Sequence, residues 1–361
     1  MTQMVLTRLQ HLSTPHVATV KQLAHCSRQA WMDGAKSICY AHLSDSSSTA
    51  TKFPLWVITY WSSAINTRET SVRWLKAKDW ASKQLQQKKS SSRQKAAEEA
   101  TILLSSLPRM LKGSDSSGVV DNERIDSLWR FLGPNWLSCS NQNDLLDILR
   151  DTILDDPVRA TKYRVEGTHT TATIIKAYQN RSDDMYCKDR SLQWLHFLAD
   201  DLIENQATLI TIINLSNITN SPHWVPVVVT IEPKLCIHFG DSLGGSIPPE
   251  LHAAYTWWLG IHEDNFLPDP FVKRKNARND NDLLEVKSLP ITIQHDSHSC
   301  GVLAQDALKH FVYPSQPLLD ANVMDIVHER LKMFNKVAGR VKQRVRTHNH
   351  TNVHALNTIQ S

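Results

Sequence analysis

One cysteine of this chain stands where its thiol can become a nucleophile. Cys300 and Gly301 follow a short alternating, strand-like run, Ile291–Gln294, and precede an apolar pattern of helical spacing that extends to Phe311. A cysteine at the start of a helix lies among unpaired backbone N–H groups, whose partial positive charge stabilises a thiolate. Position alone leaves two interpretations open, a reactive thiol and a buried structural cysteine.

Three further side chains supply the other groups that a thiol protease requires. Such an enzyme needs an imidazole as base and acid, a carboxylate or amide to orient the imidazole, and a donor for the oxyanion. His223, Asp241 and Gln294 provide one of each, in that order and ahead of Cys300. Each is a weak signal when taken singly, since a lone histidine before a strand is more often structural. Their combination favours a catalytic site.

The β-rich part of the chain offers a way to bring the histidine and the aspartate together. Residues 209–215, 224–231 and 235–239 are rich in β-branched and apolar side chains, and the last two runs predict a hairpin. His223 precedes the first strand of that hairpin and Asp241 follows the second. Antiparallel pairing would therefore place both residues at one edge of the sheet.

These motifs resemble those of the Ulp/SENP family of SUMO-cleaving cysteine proteases over about residues 125–315. The shared features are short motifs around each candidate residue, namely His223-Trp224, Asp241-Ser242-Leu243, and Gln294 six residues before Cys300-Gly301. Within the family the sequence is most similar to the Ulp-like proteases encoded by fungal KDZ-type DNA transposons. The features behind that likeness are SCG (299–301), GDSLGGSIPPE (240–250) and FPLWVITYW (53–61).

The resemblance implies both a fold and a set of catalytic roles. The implied fold is α+β, a permuted papain-like core with a central mixed sheet flanked by helices, preceded by a mostly helical N-terminal region. Cys300 is the implied nucleophile, His223 the general base, Asp241 the residue that orients it and Gln294 the oxyanion donor. The implied chemistry requires no metal and no organic cofactor.

The resemblance also implies a substrate, since family members clamp an extended Gly-Gly tail between two tryptophans. Trp224 matches the first of these and Trp136 resembles the second. Stacked indoles form a narrow slot that accepts Gly-Gly and excludes residues with a Cβ. Ser138-Cys139 replace the Asn-Asp that normally follows the second tryptophan, which is a departure. The implied partner is SUMO or another ubiquitin-like modifier, with its conjugates.

Composition predicts an ordinary globular protein, because 361 residues carry 41% hydrophobic and 21% charged side chains with a net charge of +4. No run approaches the roughly 18 apolar residues that span a membrane, and no secretory signal is evident. We therefore expect an intracellular protein of the nucleus or cytoplasm. The basic start of the chain leaves an organelle transit peptide open beside an ordinary amphipathic helix. The six cysteines form no CxxC or CxxH pair, which argues against a zinc site and a disulfide framework.

The sequence predicts two regions and a linker. Residues 1–112 are predicted to be a helical N-terminal region with a basic low-complexity segment. Residues 113–122, which begin with GSDSSG, are the predicted linker. Residues 123–361 are the predicted Ulp-like protease domain, which ends in a basic helix.

Three segments each allow a structural and a binding interpretation. FPLWVITYW (53–61) fits a small packed core or a groove for a partner. The basic run 83–95 fits a solvated or disordered segment, or a contact with DNA or RNA. The seven Lys and Arg residues between 329 and 346 fit a solvated helix face or attraction to an acidic partner.

The leading hypothesis is a cysteine protease or isopeptidase that cleaves after the Gly-Gly tail of SUMO or a related modifier. The alternative is a non-catalytic modifier-binding or transposon-accessory protein with a degenerate protease fold, motivated by Ser138-Cys139 and the basic segments. A third hypothesis is a nucleic-acid-binding accessory protein with a vestigial protease core. Binding of that kind would weaken steeply with salt.

Overall fold

The computed structural model describes residues 15–40, 51–86, 91–107, 125–181, 185–219, 221–231, 235–266 and 284–359. The chain forms two compact units, Met1–Lys76 and Ala77–Ser361. The predicted linker, 113–122, lies outside the described residues. The predicted boundaries of the two regions therefore stay predictions.

The first unit packs a helix, a hairpin and the start of a long helix around a small core. Its elements are α1 (Val17–Met32), β1 (Ser37–Tyr40), β2 (Thr51–Pro54) and the first part of α2 (Leu55–Gln86).

The run FPLWVITYW spans the junction between β2 and α2. Phe53 and Trp61 meet edge to face at 5.4 Å and pack against Val20 of α1. Trp56 and Tyr60 lie on the opposite side of α2 and are exposed. The apolar half of the run therefore forms a packed core, the first of its two interpretations.

The second unit is a five-stranded sheet with helices on both faces. Its elements are α3 (Ser91–Ser106), a 3-10 helix (Ile125–Phe131), α4 (Cys139–Leu154), α5 (Pro157–Lys162), β3 (Tyr163–Val165), α6 (His169–Gln179), α7 (Met185–Lys188), a 3-10 helix (Arg190–Leu192), α8 (Gln193–Glu204), β4 (Thr208–Asn214), α9 (Ser216–Thr219), β5 (Trp224–Thr230), β6 (Cys236–Phe239), α10 (Pro249–Phe266), β7 (Glu285–Ser288), α11 (Cys300–Val312) and α12 (Val323–Ile359).

The sheet has the strand order β3-β4-β5-β6-β7 and is mixed. The outer pairs, β3 with β4 and β6 with β7, are parallel. The inner pairs, β4 with β5 and β5 with β6, are antiparallel, and the second of them is the predicted hairpin. The predicted α+β class, with a mixed sheet flanked by helices and a helical N-terminal region, is confirmed.

Side chains of β5 alternate between two separate cores. Val225, Val227 and Val229 pack in the core that also contains side chains of α8 and α10. Trp224 and Val228 pack on the opposite face, with side chains of α4 and α11. Because helices cover both faces of the sheet, every position of this strand favours an apolar residue, which explains the uninterrupted run WVPVVV.

The predicted strand at Ile291–Gln294 is wrong. The strand that precedes the cysteine is β7, Glu285–Ser288, which pairs with β6. The chain has left the sheet by Gln294, whose backbone N–H donates to the Ser242 carbonyl at 2.8 Å. Alternation of apolar and polar residues at 291–294 therefore reflects a half-buried extended segment and not a strand of the sheet.

The basic run 83–95 is helical at every position that the structure describes, which fits a solvated segment and not a disordered one, while contact with DNA or RNA stays a prediction. Residues 83–86 end α2 and residues 91–95 begin α3. Packing of α3 on α12 supplies the stability that the sequence of the run lacks. Asn335 of α12 donates from Nδ2 to the Ala96 carbonyl at 2.9 Å and to Glu99 Oε2 at 3.0 Å.

Candidate active site

The Cys300 thiol lies at the N-terminus of α11, as the sequence predicts. Cys300 is the first residue of the helix and only 1% exposed. It packs with Ala304 in the core between the sheet and α11. A thiol so placed meets the partial positive charge of the helix N-terminus and little water.

The β5–β6 hairpin brings His223 and Asp241 together at the end of the sheet where β5 begins and β6 ends. His223 Nε2 lies 2.7 Å from Asp241 Oδ1, and His223 is 4% exposed. The His223 carbonyl accepts the Leu215 N–H at 2.8 Å, which fixes the histidine backbone beside the end of β4. The Cys300 side chain is the second group that acts on this imidazole, and it raises the pKa of His223. Since Asp241 engages Nε2, Nδ1 is the nitrogen left for the thiol.

Electrostatics favour a charged His223. Burial disfavours the imidazolium, but the hydrogen bonds to Asp241 and Cys300 and the charges of these two groups outweigh it and raise the pKa of His223 to about 9. Burial also works against an ionised Asp241. The hydrogen bonds from His223 and from two backbone N–H groups outweigh it and hold the pKa of Asp241 below its usual range. An imidazolium held by a carboxylate is the partner that a cysteine thiolate requires.

The segment after Asp241 is shaped to hold its carboxylate. The Leu243 N–H donates to Oδ1 at 2.7 Å, and the Gly245 N–H also hydrogen-bonds to the carboxyl group. Gly244 has a φ of +80°, and a Cβ at Gly245 would lie 2.4 Å from Asp241 Oδ2. Gly244 therefore suits the backbone conformation of this segment, and Gly245 suits its close approach to the carboxylate.

Gln294 is oriented by Ser242. The Ser242 hydroxyl donates to Gln294 Oε1 at 2.8 Å, which leaves Nε2 as the donor end of the amide. Nε2 donates to the Asp296 carbonyl at 2.8 Å. The amide carries two N–H groups, so this bond uses one of them.

The residues between Gln294 and Cys300 are organised by Asp296. Its carboxylate accepts the backbone N–H groups of His298 and Ser299 at 2.8 Å and the Ser299 hydroxyl at 2.5 Å. His298 Nε2 lies 3.6 Å from the same carboxylate, a partner that the sequence did not reveal. Burial nevertheless lowers the pKa of His298. Asp296 thus serves mainly to shape this segment, which we call the cysteine loop (residues 294–299).

The two predicted substrate-binding tryptophans differ in exposure. Trp224 is 2% exposed, and its Nε1–H donates to the Leu137 carbonyl at 2.8 Å. Trp136 is half-buried, next to Leu137, and its carbonyl accepts from Arg130 Nη1 at 3.3 Å. Trp224 therefore anchors the segment that carries Trp136, here called the tryptophan loop (residues 132–138). Of the two indoles, Trp136 offers more surface to a substrate.

Ser138 caps α4, which begins at Cys139. Its hydroxyl accepts the Asn141 N–H at 3.3 Å, and Asn141 Oδ1 accepts the Ser138 N–H at 3.0 Å, which completes a capping box. Serine and asparagine are both favoured at an N-cap. The departure from Asn to Ser therefore keeps the helix start, while Cys139 is exposed.

Sequence reasoning missed two buried polar residues beside the site. A Cβ at Gly301 would lie 2.1 Å from Gln142 Nε2, so the Gln142 amide packs directly against the backbone after Cys300. Arg330 of α12 is buried and donates to the carbonyl of His298. Helical periodicity was the usable signal, because Arg330 falls on the apolar stripe between Ile326 and Phe334.

No group of three or more His, Cys, Asp or Glu side chains in the described part of the chain could hold a metal ion. None of the described helices is both long enough and apolar enough to cross a membrane.

No protein-family model matches the sequence, and no curated protein matches it. Solved structures similar to this fold include the SUMO protease Ulp1 with its catalytic cysteine oxidised to a sulfonic acid, at 13% identity and a TM-score of 0.46, covering 68% of this chain and 95% of the other. The C-terminal Ulp1 protease domain in complex with Smt3, the yeast ortholog of SUMO, has 15% identity and a TM-score of 0.44, with 68% and 94% covered. The Xanthomonas campestris effector XopD bound to ubiquitin has 17% identity and a TM-score of 0.34, with 61% and 99% covered. Likeness at this level assigns neither an activity nor a substrate to this chain.

Proposed function

We propose that this protein is a cysteine protease or isopeptidase that cleaves after the Gly-Gly tail of SUMO or a related ubiquitin-like modifier. The observation that carries the proposal is a single imidazole with two partners. His223 hydrogen-bonds to Asp241 at 2.7 Å, and the side chain of Cys300 at the start of α11 raises the pKa of His223. This relation among three residues far apart in sequence supports thiol catalysis.

In the proposed reaction Cys300 is the nucleophile, Gln294 helps to hold the oxyanion, and His223 transfers protons. The Cys300 thiolate attacks the carbonyl carbon of the scissile bond, and the oxyanion is held by the Gln294 amide and by backbone N–H groups at the start of α11. The His223 imidazolium protonates the leaving amine, which leaves a thioester on Cys300. Neutral His223 then removes a proton from water, whose oxygen attacks the thioester and releases the free carboxylate and the thiol.

Specificity for Gly-Gly is supported by the sequence motifs, in which Trp224 and Trp136 match the two tryptophans of the resemblance. A slot between two indoles accepts a tail without side chains better than one with them. Trp136 is the proposed lid over the tail. The likeness to proteases of fungal KDZ-type transposons and a location in the nucleus or cytoplasm stay predictions.

Covalent probes test the activity directly. We expect the full chain to form an adduct with a vinyl-sulfone derivative of SUMO, NEDD8 or ubiquitin, and the preferred modifier to identify the substrate class. Cys300→Ala should abolish the adduct. Cys187→Ala removes a thiol that is more exposed than Cys300 and should leave the adduct unchanged. Absence of a Cys300-dependent adduct with all three probes would refute the proposal.

The alternative, a modifier-binding protein without activity, predicts a different pattern. Such a protein would bind a modifier tightly without turnover, and Cys300→Ala would leave the affinity unchanged. The same binding experiments with nucleic acid at increasing salt test the accessory-protein hypothesis, for which affinity should fall steeply.

A further inference from the structure

Arg330 is a cation in the core of the second unit. It is 1% exposed, whereas Lys332 and Lys336 of the same helix are exposed. None of the described carboxylates forms an ion pair with it. Its neighbour Glu329 pairs instead with Lys309 and Lys332, each at 2.9 Å. A buried charge without a paired carboxylate is costly, and such costs concentrate at functional sites.

The guanidinium binds three backbone carbonyls that come from separate segments. Nη1 donates to the Arg130 carbonyl at 3.2 Å, at the end of the 3-10 helix. Nη2 donates to the Asn135 carbonyl at 2.9 Å, within the tryptophan loop. Nη2 also donates to the His298 carbonyl at 2.8 Å, within the cysteine loop. One side chain therefore spans both loops that border the proposed substrate tail.

The cysteine loop transmits this contact to the catalytic groups. Asp296 accepts the His298 N–H, and its carbonyl accepts the Gln294 amide, which in turn is held by Ser242. A shift of the His298 carbonyl would therefore move the proposed oxyanion donor on one side and Cys300 on the other.

Arg330 also lies close to the thiol in the chain's fold, since Nη2 binds the carbonyl two residues before Cys300. Burial lowers the pKa of Arg330 to about 10, while the charges of Asp296 and Cys300 act in the opposite sense, so the side chain is a cation at neutral pH. The groups that face this cation are Asp296, His298 and Cys300. On the other side, His223 and, behind it, Asp241 face the thiol.

We propose that Arg330 is a positioning residue that fixes the tryptophan loop and the cysteine loop at a set separation and stabilises the Cys300 thiolate by its charge. This inference rests on the proposed function in taking Cys300 as the nucleophile. Arginine suits both tasks, because its planar fork presents five N–H donors in fixed directions and stays protonated. Lysine keeps the charge in a smaller head group, and glutamine keeps neither the charge nor the fork.

Alkylation of Cys300 tests the charge without any substrate. The full chain and its variants are treated with iodoacetamide across a range of pH, and mass spectrometry follows the peptide that contains Cys300. In Arg330→Gln we expect the midpoint of the rate profile to rise by about one pH unit, which is typical of the loss of a nearby opposite charge. In Arg330→Lys we expect the midpoint to return close to that of the wild type. Arg340→Gln is the matched control, since it removes an arginine of the same helix that pairs with Asp151 at 2.7 Å.

Hydrogen exchange tests the positioning. Backbone amides of residues 132–138 and 294–299 should exchange faster in Arg330→Lys than in the wild type, and exchange in these loops should be unchanged in Arg340→Gln. If Arg330→Gln does not fold, the exchange measured in Arg330→Lys is sufficient for the test. Unchanged exchange in both loops of Arg330→Lys would overturn the inference. An unshifted midpoint in folded Arg330→Gln, or an equal shift in Arg340→Gln, would overturn the electrostatic role. If no modifier conjugate is cleaved, the proposed function fails while these measurements still test Arg330.

Discussion

The pKa of His223 sets the pH range in which the proposed ion pair exists. A folded-state pKa of about 9 lies above the ordinary value, so the stabilisation that comes from charging this residue is fully present below the unfolded pKa of about 6.5 and is lost as the pH rises through about 9. Asp241 behaves in the opposite way. Its pKa is lowered, so its contribution is present above its unfolded pKa and is lost as the pH falls through the folded one.

Asp241→Asn should therefore change both the rate and its pH dependence. Loss of the carboxylate lowers the pKa of His223, so we expect the alkaline limb of kcat/KM to move to lower pH. We also expect kcat/KM at its optimum to fall by roughly 10²–10⁴-fold, as for other general acid–base groups. The measurement is the pH–rate profile of both proteins on a modifier-fused reporter.

Asp200→Asn is the matched control for that experiment. Asp200 holds His262 at 2.7 Å in a second aspartate–histidine pair, which includes no thiol. The variant should keep the wild-type pH–rate profile. An equal displacement of the alkaline limb in both variants would contradict the assignment to His223.

Gly301→Ala should disrupt the site by steric conflict. The new methyl group would lie 2.1 Å from Nε2 of the fully buried Gln142, and movement of that amide would strain the hydrogen bond that its Oε1 accepts from Gln305 Nε2 at 3.0 Å. We expect the free energy of unfolding to fall by roughly 1–3 kcal/mol and Cys300 labelling to be lost.

Gly339→Ala supplies the comparison, since a Cβ there would meet nothing within 4 Å. This glycine lies inside α12, where alanine should raise the free energy of unfolding by about 0.5–1 kcal/mol. Urea unfolding of both variants measures the difference, and equal effects would contradict the steric explanation.

At the scale of elements, the hairpin and α11 could be predicted because their signals are local. The apolar runs of β5 and β6 fix His223 and Asp241 at one sheet edge, and the helical period after Cys300 fixes the thiol at a helix start. Ile291–Gln294 was misassigned because a period of two also suits an extended segment that is half-buried. The role of Arg330 depends on carbonyl groups brought together only by tertiary folding, and no local pattern encodes their positions.

The packing of α3 on α12 makes a further prediction at this scale. Asn335 is buried and supplies both polar contacts to Ala96 and Glu99. Asn335→Ala should lower the free energy of unfolding by about 1–3 kcal/mol, because the buried Ala96 carbonyl loses its donor. Amides of residues 91–106 should exchange faster than those of α11.

Asn180→Ala tests whether that effect is specific. The Asn180 side chain is exposed and donates only within its own helix end, to the Lys176 carbonyl at 2.9 Å. Exchange of residues 91–106 should stay at the wild-type rate in this variant. Unaltered exchange in Asn335→Ala as well would show that α3 is held by other contacts.

At the scale of the whole molecule, the second unit contains every residue of the candidate site. It begins at Ala77, ahead of the predicted linker, and it includes α3. A protein of residues 77–361 should therefore keep Cys300 labelling. A protein of residues 113–361 lacks α3 and should unfold at a lower temperature, because it exposes the apolar surface of α12 that α3 covers. Equal unfolding temperatures would support the predicted boundary at residue 112 instead.

Arg330 lies C-terminal to all four candidate catalytic residues, so synthesis supplies it after them. A ribosome delivers His223, Asp241, Gln294 and Cys300 before it delivers the side chain that binds the Asn135 and His298 carbonyls. Domains fold as they emerge, so a nascent or prematurely terminated chain that ends before α12 holds all four candidate groups without the residue that joins their loops. We expect fragments of that kind to hold the tryptophan loop and the cysteine loop less firmly than the full chain does.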